Sequence, residues 1–323
     1  MSITDLMRTM TEAVRLAQHA PSVFNTQPWR WRVGSHTLDL LRDRARGLPV
    51  TDAQARQLLM SCGAALHHAR IALAATGRQV TVTRLPDLPD SDLLARLEVG
   101  GRQEPDPRTR RLRGAIPRRR TDRRGFAATP VPDAALVCLS EAAETEGGSL
   151  YVVPPDQMPT LTAAAGQAAA AELADPAYRA QLTKWTNRPP GSGDGVPATT
   201  AAPRGPRAVP LRDFAPDARP GLQAGQGDDA GARYAILYGP EDNPLAWLRA
   251  GEALSAVLLT AVLEGIGSSP MSDVLEVREP RLLVRRLLPG GQPYLILRLG
   301  IPLLAEAPPL APRRPAGEVV RFD

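Results

Sequence analysis

Apolar positions recur at helical spacing from the start of the chain. Ile3, Leu6, Met7, Met10, Val14 and Ala17 fall on one face behind Ser2 and Thr4 as candidate N-caps, which predicts an amphipathic helix ending at Ala20-Pro21. Alternation then replaces that period. Trp29, Trp31 and Val33 precede Gly34-Ser35, and Leu38 and Leu40 follow it, the pattern of a hairpin. From Thr51 as N-cap a long pattern runs to Gly77, placed as a C-terminal glycine cap, and Val80 and Val82 suggest a short strand.

A second series opens at about Pro117. Asp133 introduces a helical run over Leu136–Ala143, Leu150–Val153 reads as a strand, and a helix-like region covers Met158–Leu182. Between Pro189 and Gly227, 15 of 39 positions are Pro or Gly and apolar periodicity is absent, so this stretch is a long loop. Loops of that length in compact proteins are lids, binding loops or linkers. Beyond it lie a strand at Tyr234–Tyr238, a long helix at about Leu245–Glu264 and a strand at Tyr294–Leu299.

The two series echo each other. Gly63–Gly77 (GAALHHARIALAATG) and Gly251–Gly265 (GEALSAVLLTAVLEG) share glycines fourteen apart and a Gly-x-Ala-Leu start. Both are nearly all apolar, so each helix must be buried on most faces. Two such helices packed together would form the centre of a pseudo-twofold unit.

Composition narrows the class. At 323 residues, with 43% apolar and 23% charged positions, the chain has ample core and the usage of a folded globule rather than a disordered or fibrous one. No apolar stretch approaches the ~20 residues that cross a bilayer, and the first ten residues lack the apolar stretch of a signal peptide, so a cytoplasmic location with no membrane partner is expected. Cys62 and Cys138 sit in apolar helical patterns and read as buried free thiols. His67 and His68 are adjacent on a helix and point about 100° apart, unsuited to one metal. No metal site is expected.

The net charge of +5 comes almost wholly from arginine, with Lys184 the only lysine. The densest cluster, Arg118–Arg124, puts five arginines in seven residues without interleaved aromatics, which argues against nucleic acid. Guanidinium forks so crowded repel one another unless an anion is near, and they suit a phosphate bidentately.

The run Ala20-Pro21-Ser22-Val23-Phe24-Asn25-Thr26-Gln27-Pro28-Trp29 is a polar turn between helix and strand. It resembles the APSxxNxQPW signature of the nitroreductase superfamily of FMN proteins. In that family the segment touches the ribityl chain and ring of a flavin bound mainly by the other subunit, so the resemblance implies flavin contacts for Ser22, Asn25 and Gln27. Arg119-Arg120-Thr121-Asp122-Arg123 resembles the R-x-S/T-x-R/K element that holds the FMN phosphate and ribityl, with Arg119, Thr121 and Arg123 in the matching positions. Gly265–Asp273 resembles the turn beneath the flavin ring, with Pro270, Met271, Ser272 and Asp273 along its edge. Pro312-Arg313-Arg314-Pro315 resembles the C-terminal segment that returns an arginine to the phosphate, Arg313 being the better match.

The distribution of these motifs carries its own implication. The N-terminal half (1–115) has the PS-x-x-N segment but no arginine opening, whereas the C-terminal half (116–323) has the opening, the turn and the tail. The expected architecture is therefore an α+β nitroreductase-like fold of two tandem related halves, packed as an intramolecular pseudo-dimer with one FMN site per chain, and a monomer. Length and wording are similar to the actinobacterial Acg branch of the superfamily, in which an inserted segment acts as a lid. Residues 189–227 are the candidate here. Two functions stay open: NAD(P)H-dependent reduction of a nitroaromatic, quinone or similar small acceptor, or FMN storage or sequestration under a closed lid. Since the chemistry resides in the flavin, no catalytic acid, base or nucleophile is assigned.

Overall fold

The computed structural model describes residues 2–87, 91–189, 191–203, 207–215, 219–223, 227–303 and 306–323. Helix α1 (Ile3–Ala17) starts at a capping box between Ser2 and Asp5, so Thr4 lies inside the helix, and it buries Leu6, Met10, Ala13, Val14 and Ala17. Strands β1 (Trp29–Val33) and β2 (Thr37–Arg42) pair antiparallel with Trp31 opposite Leu40. The long helix α2 (Arg56–Ala74) begins later than Thr51. The Asp52 carboxylate accepts the backbone N–H groups of Gln57 at 3.0 Å and Leu58 at 2.8 Å, while Ala55 adopts a φ of +59°, so Asp52 caps the helix across a left-handed turn.

Strands β3 (Arg78–Arg84) and β4 (Leu93–Arg102) complete the first series, and α3 (Pro107–Ala115) leads to the second. There α4 (Asp133–Thr145) and β5 (Ser149–Val152) fall where the periodicity places them. The helix-like region beyond them divides at Asp175-Pro176 into α5 (Met158–Ala174) and α6 (Pro176–Thr186), because Asp175 turns its carboxylate onto the Ala177 N–H at 2.8 Å and Pro176 supplies the first helical φ. Strand β6 (Arg233–Gly239) and helix α7 (Pro244–Leu263) follow. The segment read as a turn after α7 is instead a strand, β7 (Gly267–Met271), so Pro270 and Met271 stand on a sheet edge and only Ser272 and the short α8 (Asp273–Glu276) turn away. Helix α9 (Arg278–Leu287), β8 (Gln292–Gly300), α10 (Ala316–Val319) and β9 (Val320–Phe322) end the chain.

The strands form two sheets, ordered β3-β4-β2-β1-β9 and β5-β6-β8-β7. Four strands of the first, β3-β4-β2-β1, have the same arrangement as β7-β8-β6-β5 of the second. The element successions α1-β1-β2-α2-β3-β4 and α4-β5-β6-α7-β7-β8 also agree once α5, α6 and the long loop between β5 and β6, and α8 and α9 between β7 and β8, are set aside. The longer of these extra segments lies between β5 and β6, where the first series has only a tight turn. Strand β9 crosses back to pair parallel with β1, Trp31 opposite Val320, which tethers the C-terminal tail to the first sheet.

Between the sheets α2 packs on α7. A Cβ placed on Gly63 would stand 1.9 Å from the Leu248 carbonyl oxygen, and one on Gly251 would stand 2.0 Å from the Met60 carbonyl oxygen. The contact is reciprocal, since Met60 and Leu248 each lie three residues before their own glycine. Helix α7 is long and apolar enough to cross a bilayer by composition, but in this fold it is a core helix. Neither glycine can take a side chain without parting the helices, so Gly63→Ala and Gly251→Ala should each cost about 1–3 kcal/mol in urea unfolding, as overpacked cores do. An unchanged midpoint for either would show that the helices can separate at little cost.

Candidate functional site

Residues 20–28 join α1 to β1 through a strained turn. Phe24, Asn25 and Gln27 have φ values of +48°, +54° and +50°, a region costly for side-chain-bearing residues that concentrates at functional turns. Local hydrogen bonds hold it: the Ser22 hydroxyl accepts the Gln27 N–H at 2.9 Å, and the Thr26 N–H bonds the Val23 carbonyl at 3.0 Å. The turn points Asn25 and Gln27 at two other segments. Asn25 Nδ2 donates to the carbonyls of Gly195 and Pro312, each at 3.0 Å, and Asn25 Oδ1 accepts from Arg313 Nη1 at 3.0 Å. Gln27 donates to the Gly193 carbonyl at 2.8 Å and accepts the Arg314 N–H at 2.9 Å.

The arginine cluster separates into two kinds. Arg124 is paired with Asp122, at 2.9 and 2.7 Å, and Arg298 with Asp229, at 2.6 and 2.8 Å; both belong to the framework. Arg119, Arg120, Arg123 and Arg313 have no carboxylate partner among the described residues. Arg119 is buried with Nε and Nη1 unpartnered, and its one contact is Nη2 to the His19 carbonyl at 3.4 Å. Arg313 donates to the same carbonyl at 3.1 Å, and its Nε, like that of Arg120, has no partner. Arg123 reaches only the Thr200 carbonyl, at 3.1 Å, and stacks 4.2 Å from the Phe214 ring centre. Burial first, then the neighbouring guanidiniums Arg313, Arg120 and Arg123, push Arg119 down to about 9; burial likewise brings Arg123 and Arg313 down to about 10. Guanidiniums keep their protons at neutral pH, so this strain calls for an anion.

These groups face a hollow of about 60 Å³ lined also by Ser22, Asn25 and Thr121, with no carboxylate among its described lining residues. A second hollow of about 80 Å³ shares Pro21, Ser22, Thr121 and Arg123 with it and continues past Phe24, Met60, Leu254 and Leu295 to Pro270 and Ser272. The cleft thus runs from a cationic end to an apolar end. Beyond, a cavity of about 610 Å³ shares Pro270, Ser272, Arg212 and Phe214 with the second hollow and extends along Met271 and Asp273. Of the residues expected from sequence, Ser22, Asn25, Arg119, Thr121, Arg123 and Arg313 meet at the cationic end, Pro270 and Ser272 at the apolar end, and Met271 and Asp273 at the large cavity. Gln27 lines none of the three. It is fully buried, and its amide serves the loop and tail backbones instead.

The long inserted loop covers the cleft. Gly195, Val196 and Thr200 lie over the cationic end, and Arg212 and Phe214 over the apolar end. Asp194 pins the first part through Arg188, at 2.7 and 3.1 Å, and through a short contact with Arg46, while both arginines flank the Trp185 ring. Phe214 meets Phe24 edge to face at 6.3 Å.

No protein-family model matches the chain. Two curated proteins of Mycobacterium tuberculosis resemble it over nearly its whole length. One, named "Putative NAD(P)H nitroreductase Rv3131", is 40% identical over 322 residues, covering 97% of this chain and 91% of its own. The other, named "Putative NAD(P)H nitroreductase acg", is 34% identical over 325 residues, covering 99% and 96%. The chain belongs to this nitroreductase family. Among solved structures, the FMN-dependent nitroreductase NfnB of Mycobacterium smegmatis, in complex with NADPH, is a distant likeness at 16% identity, covering 66% of this chain and 98% of that one with a TM-score of 0.41.

In this nitroreductase-family chain several cleft residues carried no sequence signal of their own. Gln57, Met60 and Ser61 lie on α2, whose periodicity marks them only as core, and Arg212 and Phe214 lie in a loop without periodicity. Arg120 was hidden in the arginine run. An anion in the cationic end would relieve like-charge repulsion in the folded state alone. Inorganic phosphate or pyrophosphate should therefore stabilise the cofactor-free protein, by about 2.7 kcal/mol at a hundred times its dissociation constant. Equal concentrations of chloride in a thermal melt give the comparison, and equal shifts would remove the case for a phosphate site.

Proposed function

We propose that the chain is an FMN-binding oxidoreductase with one flavin site per chain, reduced by NAD(P)H and reoxidised by a nitroaromatic, quinone or similar small acceptor. One observation carries it above the others: buried Arg119 and half-buried Arg120, Arg123 and Arg313, with no counter-ion among the described residues, converge on a hollow that Ser22 and Asn25 also line, in a member of this family. Arg119, Arg123 and Arg313, joined by Arg120, would take the phosphate, with Ser22 and Thr121 along the ribityl. Pro270 and Ser272 would border the ring, whose faces Phe24, Met60, Leu254 and Leu295 would shield. When bound, FMN supplies the ability to accept and donate a hydride, and the protein supplies binding, orientation and access.

Both halves contribute walls: Ser22 and Met60 from the first, Arg123 and Pro270 from the second. The shared strand order and the reciprocal α2–α7 glycine contact support an intramolecular pseudo-dimer, with an interface satisfied inside one chain and hence a monomer. Residues 1–115 and 116–323 are then the two halves, and 189–227 the lid. The pinned loop favours a second reading. With Asp194 anchored to Arg46 and Arg188, and Phe214 and Arg212 at the ring hollow, a closed lid would hold FMN and keep nicotinamide from stacking on it.

Two measurements separate these readings and test their basis. Anaerobic NADPH or NADH should bleach the flavin band of an oxidoreductase, whereas a storage protein would yield only to dithionite. Replacing 189–227 by a short Gly/Ser linker should accelerate bleaching if the lid blocks access. Arg119→Ala with Arg123→Ala should weaken FMN binding by about 3–6 kcal/mol, from about 1.5–3 kcal/mol for each charged hydrogen bond. Retention of one FMN per chain by that double variant through desalting would refute the phosphate assignment, and two FMN per native chain would refute the single site.

A further inference from the structure

The acid cluster beyond the ring hollow is not explained by flavin binding. Glu172 of α5 and Asp273 and Glu276 of α8 surround one cation, Arg212 of the inserted loop, and all four are buried. Arg212 Nη2 donates to Glu276 at 2.6 Å and to Glu172 at 3.0 Å. Glu276 also accepts the Ser272 hydroxyl at 2.8 Å, and Asp273 stands at the start of α8, where backbone N–H groups favour its charge. Glu172 shares Arg212 with Glu276 and lies beside the Tyr178 hydroxyl. Three buried carboxylates against one guanidinium leave excess negative charge that a proton must reduce. Burial raises all three carboxyls, and Glu172 is the one that meets the large cavity beside Tyr178.

Geometry gives the proton a use. Glu172 lines the 610 Å³ cavity together with Pro270, Met271 and Ser272, the edge assigned to the ring, so acid and ring edge open on one space. Tyr178, 6% exposed, also lines it; its hydroxyl stands near Glu172 without a hydrogen bond of ordinary geometry, a buried polar group aimed at a space that a ligand can fill. Leu182, Leu211 and Met271 give it apolar wall between these charged groups, room for a flat molecule with a carbonyl oxygen.

Resting on the function proposed above, we infer that this cavity is the acceptor compartment and that the Glu172 carboxyl protonates a quinone bound in it. The balance is simple. A quinone becomes a hydroquinone by gaining a hydride, whose source is ultimately NAD(P)H, and one proton. The carboxyl O–H of Glu172 breaks as the second hydroquinone O–H forms, and the resulting carboxylate stays paired with Arg212 until water returns the proton. Burial first, then the charges of Asp273 and Glu276, against the opposing pull of Arg212, raise Glu172 to about 7. The groups facing it are Tyr178 and Arg179 from α6, Arg212 and Asp213 from the loop, and Asp273 and Glu276 from α8, with Arg123 and Arg207 on the far wall.

The test uses the FMN-loaded protein, reduced with dithionite and mixed with 2-methyl-1,4-naphthoquinone in a stopped flow across pH 5 to 9. An acid must hold its proton to give it, so the reoxidation rate of the unmodified protein should fall as pH rises through about 7. Glu172→Gln should be slower by ~10²-fold and flat over that range, the usual contribution of a general acid. Infrared difference spectra should show a protonated carboxyl at neutral pH that Glu172→Gln lacks. A pH-independent rate in the unmodified protein, or a Glu172→Gln variant with the native rate and profile, overturns the assignment. Dithionite makes the outcome independent of NAD(P)H: a chain that NAD(P)H cannot reduce refutes the oxidoreductase reading while Glu172 is still tested.

Discussion

Four guanidinium groups held together with no carboxylate partner among the described residues are the constraint on which the rest of the site depends. Arg119 and Arg313 share the carbonyl of His19, Arg120 adds its charge beside them, and Arg123 leans on an aromatic ring rather than an anion. Like charges crowded together and partly withdrawn from water are expensive without a counter-ion. The surrounding structure is arranged to hold them in place. The 20–28 turn accepts left-handed backbone at three residues so that Asn25 can grip Arg313, and β9 anchors the tail that delivers Arg313 by pairing with β1.

The close approach of α2 and α7 is what lets both halves reach one cleft. With each glycine under the other helix's carbonyl, Met60 and Ser61 of the first half come to face Leu254 and the β7 edge of the second. The insertion between β5 and β6 then has a defined task. Where the first series closes with a short turn, the second spends α5, α6 and a long loop on covering the cleft and on building the acid-lined cavity beside it.

Periodicity made most of the elements legible. Helices α1, α2, α4 and α7 and strands β1, β2, β5, β6 and β8 fall close to where apolar spacing puts them, because each buries one continuous face or is buried on most faces. Boundaries failed where side chains rather than periods decide: Asp52 moved the start of α2, and Asp175-Pro176 divided a helix. Strand β7 was hidden because GSSPM has neither alternation nor branched residues, and its place is fixed by pairing with β8, Met271 opposite Ile296. Arg119, Thr121, Arg123, Ser22 and Pro270 were legible through motif resemblance. The separate fates of neighbouring arginines were not, since Arg124 and Arg119 differ only in whether the fold brings an aspartate to them.

The two anchors of the inserted loop respond to pH in opposite senses. Asp194 loses by burial, but the hydrogen bonds from Arg188 and Arg46 outweigh that and hold its carboxyl below the usual range. Its contribution to stability is therefore complete above the unfolded value and is lost only as pH falls into the acid range. Glu172 is raised, so the folded state favours its protonated form, and the cost of its charge grows as pH rises from its ordinary value to about 7. The ion pairs of the loop's first segment, over the cationic end, thus persist through the neutral range, while the Arg212 segment beside the large cavity rests on carboxyls that burial raises toward it. The same loop is thus held by a carboxylate kept charged at its cationic end and by one raised toward neutrality at the large cavity.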